Sequence, residues 1–352
     1  MPLILTFSPQ CGEKEVGDVS GEEEAMTERR FSEDELIAEI FAPLAGEGAF
    51  GLRDDAALLP LRGAQEIVVT TDALVAGVHF FPDDPPGLVA KKALRVNLSD
   101  LAAKAAEPVG FLLTLALPPD WTNDWARSFA AGLAEDAQAF ACPLLGGDTT
   151  ATPGPLTISI TAFGRATRFV SRAGARPGDR IFVSGTIGDA ALGLGVARGE
   201  AFASRLGHGA RATLLERYRL PQPRLPLIAA LRDHASAAMD VSDGLVGDLA
   251  KLLRASGASA QVEVAKVPLS AAAREAIALE PELLSRAVTG GDDYEILCCA
   301  STDAASALTL AAGEAGVAFA EIGVVTAGAE PPQFYNSSGT ILKFSRLSFS
   351  HF

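Results

Sequence analysis

Aspartates in small-residue segments that follow short apolar runs recur along this chain, and they constrain its fold more than any other feature. Six segments share the pattern: DDAA (54–57), TTD (70–72), NLSD (97–100), GGDTT (146–150), DVSDG (240–244) and GGDDY (290–294). Any one of them alone is typical of an ordinary cap or turn, where Asp, Gly, Ser and Thr are favoured. Gathered in one cleft, six would repel one another, so the pattern predicts a site for hard divalent cations, Mg²⁺ carried by a nucleotide above all.

The chain is long enough for two domains, since 352 residues with 48% hydrophobic content can bury a large core. Residues 1–25 show no periodicity and are predicted to be a disordered tail. The turn-rich segment AGARPGD (173–179) marks the predicted boundary between a first domain at 26–170 and a second at 171–352. Helical and strand-like runs alternate in both parts, which predicts an α/β chain with an α+β N-terminal half.

The apolar periodicity places individual elements between the acidic segments. Strands are predicted at 66–71, 111–117, 156–163, 180–184, 237–241 and 294–299. One helix is predicted to follow Pro85-Pro86 and to be stopped by Pro108, and another is predicted at 125–140.

Charge, hydropathy and cysteine content argue against several classes of function. The formal net charge of −15 argues against a nucleic-acid partner, whose phosphates need a basic surface, although bound metal can still attract a small phosphorylated ligand. Every apolar stretch is interrupted before it reaches the span of a bilayer, so no membrane association is expected. The four cysteines form no C-x-x-C pair, which predicts a reduced, cytoplasmic setting.

Motifs of several common catalytic machineries are missing from the sequence. It contains no Walker P-loop, no G-x-G-x-x-G fingerprint, no protein-kinase signature, no H-E-x-x-H or C-x-x-C zinc pattern and no G-x-S-x-G elbow. The Asp, Ser, Thr and Gly that remain suit Mg²⁺ and phosphate, because Mg²⁺ binds through a few carboxylates together with substrate oxygens. The pairs Gly146-Gly147 and Gly290-Gly291 would let the backbone approach a phosphate closely.

In their order along the chain, these motifs resemble the thiamine-monophosphate kinase family, within the superfamily of aminoimidazole ribonucleotide synthetase and selenophosphate synthetase. The resemblance rests on DDAALLP, TTDALVAGVHF, KALRVNLSDLAAKAAEP, LLGGDTT, VSRAGARPGD, VSGTIGDAALGL, MDVSDGLVGDL and GGDDYEIL. It implies a two-domain PurM-like fold, in which the N-terminal sheets of a homodimer pair into a barrel beside a C-terminal α/β domain. It also implies ATP-dependent phosphorylation of thiamine monophosphate to thiamine diphosphate, the last step of thiamine diphosphate biosynthesis.

Matched motif by motif, the resemblance implies three groups of binding residues. The family's Mg²⁺ ligands correspond to Asp55, Thr70, Thr71, Asp72, Asp100, Asp148, Asp240 and Asp243. Its ATP contacts correspond to Gly147, Asp148, Arg172 and Ser242, and its thiamine monophosphate contacts correspond to His79, Asp292 and Phe349. No general base is expected, because the phosphate acceptor is mostly a dianion at neutral pH. The reaction needs charge neutralisation by several Mg²⁺ ions and in-line positioning instead.

Some of these residues also have ordinary structural interpretations. Arg172 could cap a strand end, His79 could be a structural histidine, and Phe349 could be core packing or could stack on a pyrimidine or a cationic thiazolium. The remaining motif acids are interpreted as supporting or turn residues: Asp54, Asp189 and Asp293.

The chain departs from the family pattern at three places. Arg53 stands where the family has Gly. The C-terminal segment, which in the family normally ends with an aromatic residue next to a Gly, ends here in His351-Phe352. GGDD replaces the usual GGED. Asp292 is therefore one methylene shorter than Glu, and its contact with substrate is expected to be lost or mediated by water.

Four alternative functions were weighed against this assignment. Selenophosphate synthetase needs a reactive Cys near a Gly-rich loop, but Cys11 lies in the predicted N-terminal tail. The hydrogenase-maturation relative ends in a Cys-containing segment, whereas this chain ends in His351-Phe352. Aminoimidazole ribonucleotide synthetase shares the fold, but TTDALVAGVHF and NLSDLAA fit the thiamine family better. A non-catalytic, nucleotide-binding regulatory dimer would be expected to have lost metal ligands, and none is lost.

Overall fold

The computed structural model of the chain describes residues 50–55, 57–59 and 66–349. The strands of these residues form a five-stranded and a six-stranded sheet, and each sheet is packed against helices. The α/β prediction is therefore confirmed. The tail predicted at 1–25 lies outside the described residues, and the boundary predicted at 170/171 stays a prediction. Among the described residues, no helix combines the length and the apolarity needed to cross a bilayer.

The five-stranded sheet has the order β1-β2-β5-β3-β4, with β3 and β4 parallel and the other neighbours antiparallel. In the central strand β5, every second residue is buried because one face packs on the helix that follows β2. The strands are β1 (Ala57–Leu59), β2 (Glu66–Val75), β3 (Glu107–Leu117), β4 (Leu144–Ala151) and β5 (Thr157–Ala166).

The six-stranded sheet has the order β11-β8-β10-β6-β9-β7, and β9 is buried along its whole length between β6 and β7. Its strands are β6 (Arg180–Ser184), β7 (Ala237–Asp240), β8 (Ser259–Glu263), β9 (Ile296–Ala300), β10 (Phe319–Thr326) and β11 (Gln333–Tyr335).

The α-helices of the described residues are α1 (Pro86–Ala103), α2 (Asn123–Ala139), α3 (Asp189–Ala197), α4 (Ala201–Arg205), α5 (His208–Arg219), α6 (Ile228–His234), α7 (Leu245–Ser256), α8 (Ala271–Leu279), α9 (Leu283–Thr289) and α10 (Thr302–Glu314). Single 3₁₀ turns occupy Phe50–Leu52, Leu225–Leu227 and Val264–Lys266.

Helix α1 joins the two sheets. Leu94 and Leu98 pack in the core of the first sheet, whereas Ala102 and Ala103 pack in a core shared with β9 of the second. The prediction that Pro108 stops this helix is wrong. The helix ends at Ala103, where the backbone turns left-handed at Ala105 (φ 55°), and Pro108 already lies inside β3.

Three of the six acidic segments do not lie in turns, contrary to the sequence interpretation. Residues 70–72 lie inside β2, residues 97–100 inside α1 and residues 146–150 inside β4. In β2, the polar residues share faces with apolar ones, so the strand continues through them to Val75. The acidic groups therefore project from rigid elements as well as from loops.

Candidate active site

Three carboxylates from distant parts of the chain converge between the two sheets. Asp55 comes from the loop before β1, Asp100 from α1 and Asp240 from the end of β7. One carboxylate oxygen from each lies within 4.8 Å of the others. Such an all-oxygen donor set suits a hard cation. We call these three residues the carboxylate cluster.

The electrostatics of this region favour neutralisation. Burial, followed by the charges of Asp240 and Asp72, raises the pKa of Asp100 well above its ordinary value. Burial is also the largest cause that raises the pKa of Asp240 to about 7. Burial, followed by the charge of Asp243, raises the pKa of Asp72 to about 6. Without a cation, simultaneous ionisation of these three carboxyl groups is therefore unfavourable.

Two hydroxyl groups orient the cluster. Thr70 Oγ1 donates to Asp100 Oδ2 at 2.5 Å, and Ser99 Oγ donates to Asp240 Oδ2 at 2.6 Å. Thr71 lies on the other face of β2, where its Oγ1 donates to the carbonyl of Ile160 at 3.0 Å. The structure thus places the side chain of Thr70 at the cluster and that of Thr71 away from it.

Two cationic side chains border the cluster, one half-buried and one buried. The guanidinium of Arg172 forms an ion pair with Asp55, and the Nζ of Lys104 lies 2.5 Å from Asp54 Oδ1 and 3.0 Å from Asp55 Oδ2. The side chain of Lys104 is completely buried. Arg172 thus lies at the cluster, and its predicted role as an ATP contact stays a prediction. Lys104 was not expected from the sequence.

A cavity of about 930 Å³ opens beside the cluster. At its edge, Asp243 forms an ion pair with Lys251, and the carboxylate of Asp248 caps the start of α7 by accepting from the N–H groups of Asp243 and Gly244. Six of the sequence-predicted residues line this single cavity: Asp72, His79, Ser242, Asp243, Asp292 and Phe349.

The GGDTT segment is not brought to the cluster or to the cavity lining. Asp148 lies on β4, an edge strand whose residues are all exposed. A Cβ at Gly147 would overlap the carbonyl oxygen of Leu113 on the neighbouring strand, so packing explains this glycine. The roles predicted for Gly147 and Asp148 stay predictions.

The predicted substrate contacts, His79, Asp292 and Phe349, also line this cavity. His79 Nδ1 accepts from the N–H of Val75 at 3.0 Å, which assigns the ring proton of a neutral imidazole to Nε2. Phe349 is 42% exposed and lines the cavity, so the interpretation of this ring as core packing is wrong. Its N–H donates to the carbonyl of Asp243, which ties the C-terminal segment to the start of α7.

Glu295 is a further residue that the sequence interpretation missed. Its carboxylate is completely buried and accepts from Ser184 Oγ at 2.5 Å and from Arg217 at 2.7 Å, and it forms a second ion pair with Arg224. The preceding Asp293 accepts from the N–H groups of Gly188 and Ala190. These contacts fix the loop that presents Asp292. A carboxylate in the otherwise apolar run YEILCC was the available sequence signal.

Comparison with known proteins places both halves of the chain in one family. Residues 53–166 match the model for the AIR synthase related protein, N-terminal domain, and residues 176–331 match the model for the C-terminal domain. The chain is 42% identical over 355 residues to a thiamine-monophosphate kinase of Caulobacter vibrioides, covering 98% of this chain and 99% of the relative.

Solved structures agree with this result. The crystal structure of a thiamine-monophosphate kinase from Stenotrophomonas maltophilia has a TM-score of 0.72 at 37% identity, covering 83% of this chain and 93% of the other. AaThiL complexed with AMPPCP and TMP has a TM-score of 0.81 at 29% identity, covering 93% of this chain and 100% of that protein.

Proposed function

The chain belongs to the thiamine-monophosphate kinase family of AIR synthase related proteins, and we propose that it transfers the γ-phosphoryl group of ATP to thiamine monophosphate, giving thiamine diphosphate and ADP. The carboxylate cluster beside a cavity large enough for two ligands carries the proposal. The AaThiL complex, which holds AMPPCP and TMP together, supports it.

The residues present fit Mg²⁺. Asp55, Asp100 and Asp240 would hold it, with Asp72 and Asp243 at the adjoining cavity wall. Bound there, Mg²⁺ supplies charge neutralisation for the two phosphate groups that must approach each other. Several ions are proposed, since the carboxylates extend from the cluster to the cavity.

The protein's own groups orient the two substrates. Arg172 and Ser242 are proposed to contact the nucleotide, with Gly147 and Asp148 as further contacts. His79, Asp292 and Phe349, which line the same cavity, are proposed to contact the acceptor. No side chain is assigned to proton abstraction, because the acceptor oxygen is already ionised near neutral pH. A cytoplasmic location also stays a prediction.

The proposal is tested by incubating the purified protein with thiamine monophosphate, ATP and Mg²⁺ and separating the products by chromatography. Thiamine diphosphate and ADP are expected in equal amounts, and both are expected to disappear with EDTA. ADP formation without thiamine diphosphate would overturn the assignment of the acceptor.

The stability of the metal-free protein is expected to fall as pH rises. The pKa values of Asp72 and Asp240 are raised from 3.8 to about 6 and about 7, so the folded state holds their protons more tightly than the unfolded state does. This contribution is complete below the unfolded pKa and is lost as pH rises through the folded pKa. Since Mg²⁺ binds the ionised groups, the increase in Tm that Mg²⁺ causes should be larger at about pH 8 than at about pH 5. Thermal unfolding with Mg²⁺ or with EDTA measures it.

Asp240→Asn serves as the control for this pH effect, because it removes the group with the higher of the two pKa values. In this variant, the Mg²⁺-induced increase in Tm should differ less between the two pH values than it does in the wild type. An Mg²⁺-induced increase in Tm that is the same at both pH values would contradict the expectation.

A homodimer is proposed from the exposed edge of the first sheet. Val109 and Leu112 on β3 and Leu144 and Leu145 on β4 are all at least 39% exposed. An apolar edge strand with an outer side that no other described strand pairs with is a ready surface for pairing with another chain. Leu145→Asp is therefore expected to convert a dimer into a monomer, which light scattering after size exclusion measures.

The matched control is Leu310→Asp on α10, since Leu310 is also a highly exposed leucine (66%) but lies on the other half of the chain. It should leave the mass unchanged. A monomeric wild-type protein, or a Leu145→Asp variant with wild-type mass, would overturn this interface. The barrel implied by the resemblance stays a prediction.

A further inference from the structure

Lys92 connects the two halves of the chain at the acceptor end of the cavity. It belongs to α1, the helix that also carries Asp100, and the eight intervening steps place the two residues about 12 Å apart along the helix axis. Its side chain is only 3% exposed, although it lines the cavity. One helix thus supplies a carboxylate to the cluster and an ammonium to the opposite end.

Each direction of the Lys92 ammonium has a partner within the protein. Its Nζ donates to the carbonyl oxygen of His79 at 2.9 Å and to Asp292 Oδ2 at 3.1 Å. It also lies 4.0 Å from the centre of the Tyr218 ring. Two of the three ammonium donors therefore bind oxygen atoms of the protein, and the aromatic ring lies against the charge. Lys92 therefore acts on a ligand through its neighbours.

Asp292 is held in an unusual conformation by these contacts. Its φ of 72° lies in the left-handed region, which a residue with a side chain rarely adopts without external restraint. The restraints are the ion pair to Lys92 and the hydrogen bond from its own N–H to the carbonyl of Ser242 at 2.8 Å. With Oδ2 bound to Lys92, the carboxylate still lines the cavity and is 30% exposed.

The loop of His79 is fixed from the same point. Its carbonyl accepts from Lys92 and, at 3.5 Å, from the hydroxyl of Tyr218. Burial is the largest cause that raises the pKa of Tyr218, so this hydroxyl stays protonated and can donate. Both predicted acceptor contacts, one from each half of the chain, therefore depend on the same ammonium.

We propose that Lys92 is a positioning residue for the acceptor, which orients Asp292 and the His79 loop toward the part of the ligand that carries no phosphate. The inference rests on the proposed function and specifies which kind of ligand group Asp292 recognises. A carboxylate paired with an ammonium only accepts hydrogen bonds, so the matching ligand group is an N–H donor or a cation, as in an aminopyrimidine or a thiazolium. In this chain, the ion pair also compensates for the shorter reach of Asp292 by fixing its direction.

The test compares the steady-state kinetics of Lys92→Met with those of the wild type and of Lys91→Met. Lys92→Met should raise the KM for thiamine monophosphate about 10- to 100-fold, the range for loss of a hydrogen bond to a charged group, and leave the KM for ATP and kcat within about threefold. Lys91 is the matched control, since it pairs with Glu135 on α2 at 2.6 Å and does not line the cavity. Its variant should resemble the wild type.

Asp292→Asn keeps the experiment decisive if Lys92→Met folds poorly, because Asp292 is partly exposed and contributes no core packing. It should raise the KM for thiamine monophosphate as well. The KM of the double variant should not exceed the higher KM of the two single variants. A fall in kcat at unchanged KM, additive effects, or a Lys92→Met variant that matches Lys91→Met would overturn the inference and leave the kinase assignment standing. A wild-type protein that makes no thiamine diphosphate would overturn both.

Discussion

Asp100→Asn is expected to lower kcat for thiamine diphosphate formation by about a thousandfold while leaving the metal-free protein at least as stable as the wild type. Asp100 lies in the middle of the carboxylate cluster, and a neutral amide there would remove a charge that the cluster offers to a cation. Burial disfavours the same charge, and repulsion by Asp240 and Asp72 adds to this effect, so the pKa of Asp100 is raised. Removing it should relieve that repulsion in the folded state.

Turnover with saturating substrates and thermal unfolding in EDTA measure the two halves of this prediction. Asp124→Asn on α2 is the control, because Asp124 is almost fully exposed and pairs with the exposed Arg127 within its own helix. It should change neither quantity appreciably. An Asp100→Asn variant that keeps a tenth of the wild-type activity would contradict the role of the cluster. A variant that unfolds at a clearly lower temperature in EDTA would contradict the repulsion argument.

Local periodicity was sufficient to predict much of the architecture. The strand predicted at 180–184 coincides with β6, and those predicted at 66–71 and 156–163 lie largely within β2 and β5. These strands alternate or bury apolar residues over their whole length, and such patterns can be recognised in the sequence alone. The motif resemblance added six residues that line one cavity, although it could not give their contacts.

The ion pairs of the site could not be predicted, because their partners are distant in sequence. Lys92 and Asp292 are separated by 200 residues, and Arg224 and Glu295 by 71. A lysine on a helix is ordinarily a solvated residue, but Lys92 is buried, and its ammonium contacts His79, Tyr218 and Asp292. Sequence patterns report which face of an element is apolar, but not which distant charge will meet that face.

The GGDTT segment shows a different limit of sequence interpretation. Two consecutive glycines before an aspartate are typical of a phosphate-binding turn, and the segment was interpreted that way. In the structure, these residues form the edge strand β4, where Gly147 is needed to avoid the carbonyl of Leu113. The close approach of the neighbouring strand could not be predicted from the sequence, and the nucleotide contact of Gly147 stays a prediction.

Lys104→Met is expected to lower the free energy of unfolding in EDTA by about 3 kcal/mol, since removing one partner of a buried ion pair leaves an uncompensated charge. The ammonium of Lys104 contacts Asp54 and Asp55, and it also donates to the carbonyl of Ala238 on β7 at 2.9 Å. Methionine keeps the shape of the side chain but removes all three interactions. The effect should stay at the low end of the range for buried pairs, because Arg172 still neutralises Asp55.

Mg²⁺ should restore part of this stability, because a cation held at Asp55 would return positive charge to the place where Lys104 supplied it. Urea unfolding with and without Mg²⁺ measures both effects. Lys91→Met, which removes an ion pair to the exposed Glu135, should cost less than about 1 kcal/mol in either condition. A loss of stability that Mg²⁺ does not reduce would mean that Lys104 acts through its packing and its bond to Ala238. A loss that Mg²⁺ reduces would mean that the ammonium and the metal neutralise the same carboxylates, so that Lys104 lets the cluster persist in the folded protein before any metal has bound.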